Sequence, residues 1–277
     1  MTSKFSTFIC QNCGFETSQY FGKCLNCNKW NTIVEENKSQ RNQKNKNFNK
    51  GTHSKLVDEI SSQKIARFTS GFKEFDRVLG GGIVPGSVVL LGGEPGIGKS
   101  TIILQTAGKI SFNEKVLYIT AEESLEQVKI RWDRLNQKSI NLQIFAETNL
   151  SSIIEEIKKI NPSLAIIDSI QAIQNEEMES TPGSVSQVRN CSSELQSFAK
   201  ENNIALLIIG HVTKDGALAG PKTLEHLVDV VINFEGDKIS SYRLLRSIKN
   251  RFGSTFEIGI FEMLEKGLSE IQNPSSI

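Results

Sequence analysis

The sequence predicts an α/β fold: a mainly parallel, twisted sheet flanked by helices, preceded by a small four-cysteine zinc module. Three observations carry this expectation. Apolar runs alternate with amphipathic helical patterns from Ile60 onward. One of those runs leads into a glycine-rich loop that opens a helix. Ahead of them, four cysteines fall in two Cys-x-x-Cys pairs.

The cysteine pairs come first along the chain. Cys10, Cys13, Cys24 and Cys27 form two knuckles with ten residues between them. Each tight turn aims two thiolates at one point, so the four read as one tetrahedral zinc site. Four thiolates leave no open position, which makes such a site structural. Disulfides fit less well, because the rest of the chain looks cytosolic. Residues 1–34 form this module, with Phe8, Tyr20, Phe21 and Trp30 expected around the metal, whose binding supplies folding energy that so small a unit lacks. Residues 35–59 lose apolar character and read as a polar linker with a mild basic bias. An arm touching nucleic acid is one reading of that bias; a solvated tether is the simpler one.

Residues 60–266 carry the α/β pattern, and 267–277 read as a polar tail. A helix over 72–79 places Phe72, Phe75, Val78 and Leu79 on one face and ends at Gly80-Gly81-Gly82. Strand signals follow at 87–91, 115–120, 164–168, 204–209, 229–234, 241–248 and 255–263. Helical patterns occupy 99–110, 123–135, 151–159 and 184–201. The first four strands, separated by helices, predict parallel crossovers. The last three lie close together and predict an antiparallel extension at one sheet edge. Cys191, among Ser and Leu in a helical pattern, reads as a small core residue.

Composition narrows the functional classes. A chain of 277 residues suits one core domain plus a small one. With 32 basic and 31 acidic residues, overall charge does not announce a nucleic-acid partner. No apolar run approaches bilayer length, and Met1-Thr2-Ser3-Lys4-Phe5 lacks the core of a secretion signal. A cytoplasmic protein with no membrane contact is expected.

The stretch Gly93, Glu94, Pro95, Gly96, Ile97, Gly98, Lys99, Ser100, Thr101 fits the phosphate-loop template G-x-x-x-x-G-K-[ST] between a strand and a helix. Its glycines let backbone N–H groups turn toward a polyphosphate at a helix N-terminus. Lys99 is expected to reach the β- and γ-phosphates, and Ser100 to offer its hydroxyl to Mg²⁺. Asp168 ends the apolar strand Leu164-Ala165-Ile166-Ile167 and is placed to hold the same Mg²⁺ shell. Glu122 and Glu123 follow the strand ending at Thr120, where ligands gather in open α/β sheets. Either can position the attacking water, and either can be an acidic first helical turn; Glu122 catalytic with Glu123 capping satisfies both. His211, at the tip of 204–209, reads as a γ-phosphate sensor or as a solvent-facing strand end. Thr213-Lys214-Asp215 lacks the Asn and the spacing of a guanine-reading box, so adenine is favoured. Lys249 and Arg251 point the same way along an extended segment. On spacing alone they read as a basic surface turn.

Several stretches together resemble one family, the bacterial DNA-repair ATPases called RadA or Sms. They are the Cys10–Cys27 knuckles, Gly93–Thr101, Ala121-Glu122-Glu123-Ser124, Asp168-Ser169-Ile170-Gln171, Gly210–Gly216, Ala219–His226 and Lys249-Asn250-Arg251-Phe252-Gly253. The resemblance covers nearly the whole chain. It implies a RecA-like ATPase core that uses ATP and Mg²⁺ and assembles as a hexameric ring on single-stranded DNA. Such proteins drive branch migration of recombination intermediates alongside a recombinase (RecA) filament. It also implies that Lys99, Ser100 and Asp168 form the nucleotide and Mg²⁺ site and that Glu122 is the catalytic glutamate. Lys249 and Arg251 become arginine-finger-like residues for a neighbour's γ-phosphate, which reverses the surface-turn reading. The loops around 174–186 and 212–223 match DNA-facing loops, with Lys214 and Lys222, and Arg189 on the following helix, as phosphate contacts. Family members continue into a Lon-protease-like domain, which is not expected in this chain. An alternative is a RecA-core ATPase acting as a regulatory assembly switch without DNA translocation.

Overall fold

The computed structural model describes residues 6–37, 66–211, 222–236 and 241–271. The chain divides into two compact units, Met1–Ala66 and Arg67–Ile277.

In the first unit β1 (Ser6–Cys10) is flanked antiparallel by β2 (Glu16–Thr17) and β3 (Ile33–Asn37). Cys10, Cys24 and Ile33 form its core, with Phe8, Phe15 and Phe21 packed against them. Tyr20 and Trp30 instead are 59% and 69% exposed. The Trp30 ring lies over the Gly22 backbone and beside the Lys23 ammonium, on the outside of the second knuckle, so neither aromatic wraps the metal site as expected. β3 carries the module on through Asn37, because Ile33 and Val34 continue the pairing with β1. The remainder of the expected linker, 38–59, lies outside the described residues.

In the second unit nine strands form one sheet, in the order β12-β11-β10-β9-β4-β8-β7-β5-β6. β4 (Val88–Gly93), β5 (Val116–Thr120), β6 (Leu142–Ala146), β7 (Leu164–Asp168), β8 (Ala205–Ile209) and β9 (Val230–Gly236) run parallel. β10 (Tyr242–Asn250), β11 (Ile258–Leu264) and β12 (Gly267–Glu270) add on antiparallel. The strand near 229–234 thus belongs to the parallel set, and the antiparallel extension begins only with β10. β12 replaces the first part of the expected tail, since Gly267 turns the chain back along β11. β6 went unrecognised because it is a half-exposed edge strand with no long apolar run.

Period-two alternation feeds two cores. Val89 and Leu91 face α1 (Lys73–Leu79), α2 (Lys99–Ile110) and α3 (Leu125–Arg134). Val88 and Leu90 face α4 (Leu150–Ile160), α5 (Val185–Asn202) and α6 (Lys222–Leu227). Central strands buried on both faces read as unbroken apolar runs, which is why the sequence shows them so plainly. Cys191 is fully buried in the second core, and burial pushes its thiol up to about 12. Among the described residues, no helix is long and apolar enough to cross a membrane.

A candidate nucleotide site at the strand tips and a four-cysteine metal centre

All six parallel strands end at one sheet edge, and the chemistry-bearing residues sit there. Gly93 ends β4, and the loop to α2 is closed by Gly98, whose left-handed backbone (φ +114°) suits glycine. α2 has neither a capping side chain nor an acidic residue in its first turn, so its N-terminal amides remain available to an anion. Lys99 is 4% exposed and donates to Gly93 O at 2.7 Å and Glu94 O at 2.8 Å. Burial lowers its ammonium to about 8, although Asp168, Glu122 and Glu94 all pull the other way.

Asp168 ends β7, two strands from β4, and is 7% exposed. Burial raises its carboxyl, and repulsion from Glu122 and Glu123 adds to that, against hydrogen bonds from the Tyr118 and Ser100 hydroxyls. Tyr118 is fully buried in β5, and its hydroxyl donates directly to Asp168 Oδ2. A buried carboxylate beside a loop serine fits a divalent cation, which favours the ionised form.

The two glutamates after β5 part company. Glu123 is held by both guanidinium nitrogens of Arg131, at 2.6 and 2.5 Å. It does not cap α3: the cap is Ser124, whose hydroxyl accepts from Gln127 N while the Gln127 side chain accepts from Ser124 N. Glu122 accepts from the Ser169 hydroxyl and lies 3.1 Å from His211 Nε2. Those contacts, His211 first and with Lys99 adding charge, hold its carboxyl below the usual range against the effect of burial. His211 therefore faces Glu122 from the tip of β8, and its buried Nδ1 has no hydrogen-bond partner among the described residues.

In the first unit the four cysteine sulfurs lie within 4.8 Å of one another, with Cys10–Cys27 at 3.7 Å and Cys13–Cys24 at 3.5 Å. A tetrahedral ion at about 2.3 Å from each sulfur needs sulfur–sulfur edges near ~3.8 Å, so the four thiols fit a metal. No two of them are bonded to each other. Each knuckle is a tight turn, closed by Gly14 N to Cys10 O at 2.8 Å and Asn28 N to Cys24 O at 3.0 Å.

Comparison with known proteins gives this geometry a family. A model described as AAA domain matches residues 54–217, more than half of the chain. This chain belongs to the AAA domain family. A second model, described as rubredoxin metal binding domain, matches residues 8–35 and covers all four cysteines. Proteins named DNA repair protein RadA are 49% identical in Listeria monocytogenes, 47% in Halalkalibacterium halodurans and 47% in Bacillus subtilis. Those alignments cover 98–100% of this chain, so the resemblance drawn from its motifs is borne out. The chain spans 60–62% of the length of these curated relatives. Among solved structures, a KaiC-like protein from Pyrococcus horikoshii matches with a TM-score of 0.60 at 20% identity, over 75% of this chain and 99% of that one. That likeness shows the RecA-like fold.

In this AAA domain chain Lys249 and Arg251 lie away from the loop. Asn250 pairs with Val230, and Val89 pairs with Val230 from the other side, so Lys249 and Arg251 stand where β4 begins. The P-loop stands where β4 ends. Lys249 Nζ donates to Glu225 O at 2.5 Å and Val228 O at 2.8 Å, and Arg251 pairs with Asp229 at 3.0 Å. Burial, then the nearby Arg251, lowers the Lys249 ammonium. The turn that follows is locked: Arg67 donates to Gly80 O and to Phe252 O, and Gly253 backs onto Gly80 so closely that an added Cβ would lie 2.9 Å from its Cα. Arg189 is on exposed α5 surface. Lys214 lies outside the described residues, and Lys222 opens α6. Tyr118, Ser169, Arg131 and Asp229 escaped sequence reasoning. Of these, only Ser169, adjacent to Asp168, carried a signal in the chain itself.

Proposed function

We propose that this chain is the ATPase core of a DNA-repair motor. The observation that carries the reading is the convergence of Lys99, Asp168 and Glu122 on one strand edge at the mouth of the P-loop. Bound ATP would displace the Gly93 and Glu94 carbonyls from Lys99, whose ammonium then faces the β- and γ-phosphates. Ser100 and Asp168 would hold Mg²⁺, which when bound neutralises charge on the phosphates. Glu122, kept ionised by His211, Ser169 and Lys99, accepts a proton from or orients the attacking water. Glu123 is spent on Arg131, which favours Glu122 for that role.

Lys249 and Arg251 cannot serve their own P-loop. They are separated from it by the length of β4, roughly 15–20 Å at ~3.3 Å per residue. Any contact they make with a γ-phosphate is therefore with one bound by a second copy of the chain, and a closed ring, hexameric in the family reading, satisfies that requirement for every subunit. The four-cysteine module holds zinc as a structural ion. Single-stranded DNA, branched recombination intermediates and a recombinase filament are the partners this reading assigns, with branch migration as the work done. One observation favours the assembly-switch alternative: the loop 174–183 exposes Glu176, Glu177 and Glu179 and carries no Lys or Arg.

The test is ATP turnover with and without oligo-dT, titrated with salt. The motor reading expects stimulation that falls as salt rises, because phosphate contacts release counterions. Turnover unchanged by DNA at every salt concentration contradicts it and supports the switch.

A further inference from the structure

Asp229 lies between α6 and β9, 4% exposed, at the sheet edge opposite the P-loop. Both of its carboxylate oxygens are committed. Oδ2 accepts from the Val88 amide at 3.1 Å, and Oδ1 faces the Arg251 guanidinium at 3.0 Å and the Lys200 ammonium at 3.7 Å. Backbone bonds repeat the linkage, from Asp229 N to Val88 O at 3.0 Å and from Arg251 N to Asp229 O at 3.1 Å. One face of this acid is thus fixed to the first residue of the P-loop strand, and the other carries Arg251.

The charge it meets is only half buried. The Arg251 side chain is 50% exposed and that of Lys200 46%. Pairing at such exposure contributes little to stability. Orientation is the larger consequence: one guanidinium nitrogen is anchored, and the rigid fork then directs its other N–H donors away from the anchor. Lys249, held by the Glu225 and Val228 carbonyls, is fixed on the same short segment, so residues 225–229 form the seat for both cations.

We propose that Asp229 is a positioning residue for Arg251, aiming the guanidinium at a phosphate bound by a second copy of this chain. The role rests on the shared-site reading above. It differs from a stability role in one respect: it belongs to the subunit that lends Arg251, not to the subunit that binds the nucleotide.

Subunit mixing tests that difference. Asp229→Asn keeps an oxygen for the Val88 N–H and removes the charge that anchors Arg251. The variant should melt like the unsubstituted chain and bind ATP equally well, while kcat falls about tenfold or more with KM unchanged. Mixed with Lys99→Ala, it should regain turnover, because its intact P-loop then meets an intact Arg251. Mixed with Arg251→Ala, it should regain none, because both defects lie on the lending side. Unreduced turnover overturns the role. So does recovery with Arg251→Ala, or failure with Lys99→Ala under conditions where Arg251→Ala recovers. If Arg251→Ala itself never recovers with Lys99→Ala, the shared-site reading falls, and this role falls with it. Should Asp229→Asn melt early, Asp229→Ser repeats the same comparisons with a small polar side chain beside Val88.

Discussion

Lys99 and Glu122 face each other's field at the mouth of the loop, and their shifted ionisations set how the site answers to pH. The Lys99 ammonium, lowered to about 8 by burial, loses its charge in the free protein as pH rises through that value. A bound polyphosphate favours the ammonium, so ATP binding should take up a proton above pH 8, and affinity should fall as pH rises further. Equilibrium binding of a non-hydrolysable ATP analogue from pH 7 to 10 checks this; a flat affinity contradicts the assignment. Glu122 shifts the other way, downward, so its carboxylate survives below the usual carboxylate range. Glu122→Gln should bind ATP normally and turn it over ~10²–10⁴-fold more slowly, whereas Glu123→Gln, which only releases Arg131, should lose far less. Equal losses in the two variants would remove the distinction between them. Lys99, Ser100 and Asp168 were legible from the chain because a phosphate loop and a strand-terminal acid follow fixed local patterns. Tyr118 and Asp229 were not. Tyr118 hides inside an apolar run, and Asp229 acquires meaning only when Val88 and Arg251, 141 and 22 residues away, fold against it.

At the scale of elements, burial decided what could be read. β4, β7 and β8 are buried along their whole length and announce themselves as apolar runs. β6 and β12 are edge strands whose pairing partners, rather than their own composition, make them strands. The capping box at Ser124 and Gln127 lay in plain view, but the acidic pair before it drew the helix start two residues too early. The four-cysteine module was legible as a metal site with aromatics around it; Phe8 and Phe21 do pack against the cysteines, while Tyr20 and Trp30 stay exposed. Its stability should come chiefly from the ion, roughly 10–16 kcal/mol of apparent binding energy for such sites at neutral pH. Chelation followed by hydrogen exchange should therefore strip protection from β1–β3 while β4, β7 and β8 keep theirs. Protection of β1 retained without metal would refute the structural role.

For the whole molecule, the two groups of candidate residues lie at opposite ends of the sheet. The P-loop, Asp168 and Glu122 share the edge where the parallel strands finish, and Lys249, Arg251 and Asp229 share the edge where β4 and β9 begin. On the reading proposed above, each chain offers half a site at each end, and a second copy completes it. Local patterns in the chain pointed to the P-loop half, whereas Lys249 and Arg251 were assigned to a neighbour's site only by resemblance; the register of β10 on β9 puts that pair at the opposite end of β4 from the P-loop. The most direct check is ATP turnover per chain as a function of chain concentration, followed alongside sedimentation. Turnover per chain should rise steeply as copies associate, reach a plateau, and vanish on dilution to the single chain. Constant turnover per chain down to concentrations where it sediments as a monomer would contradict a site completed by a second copy.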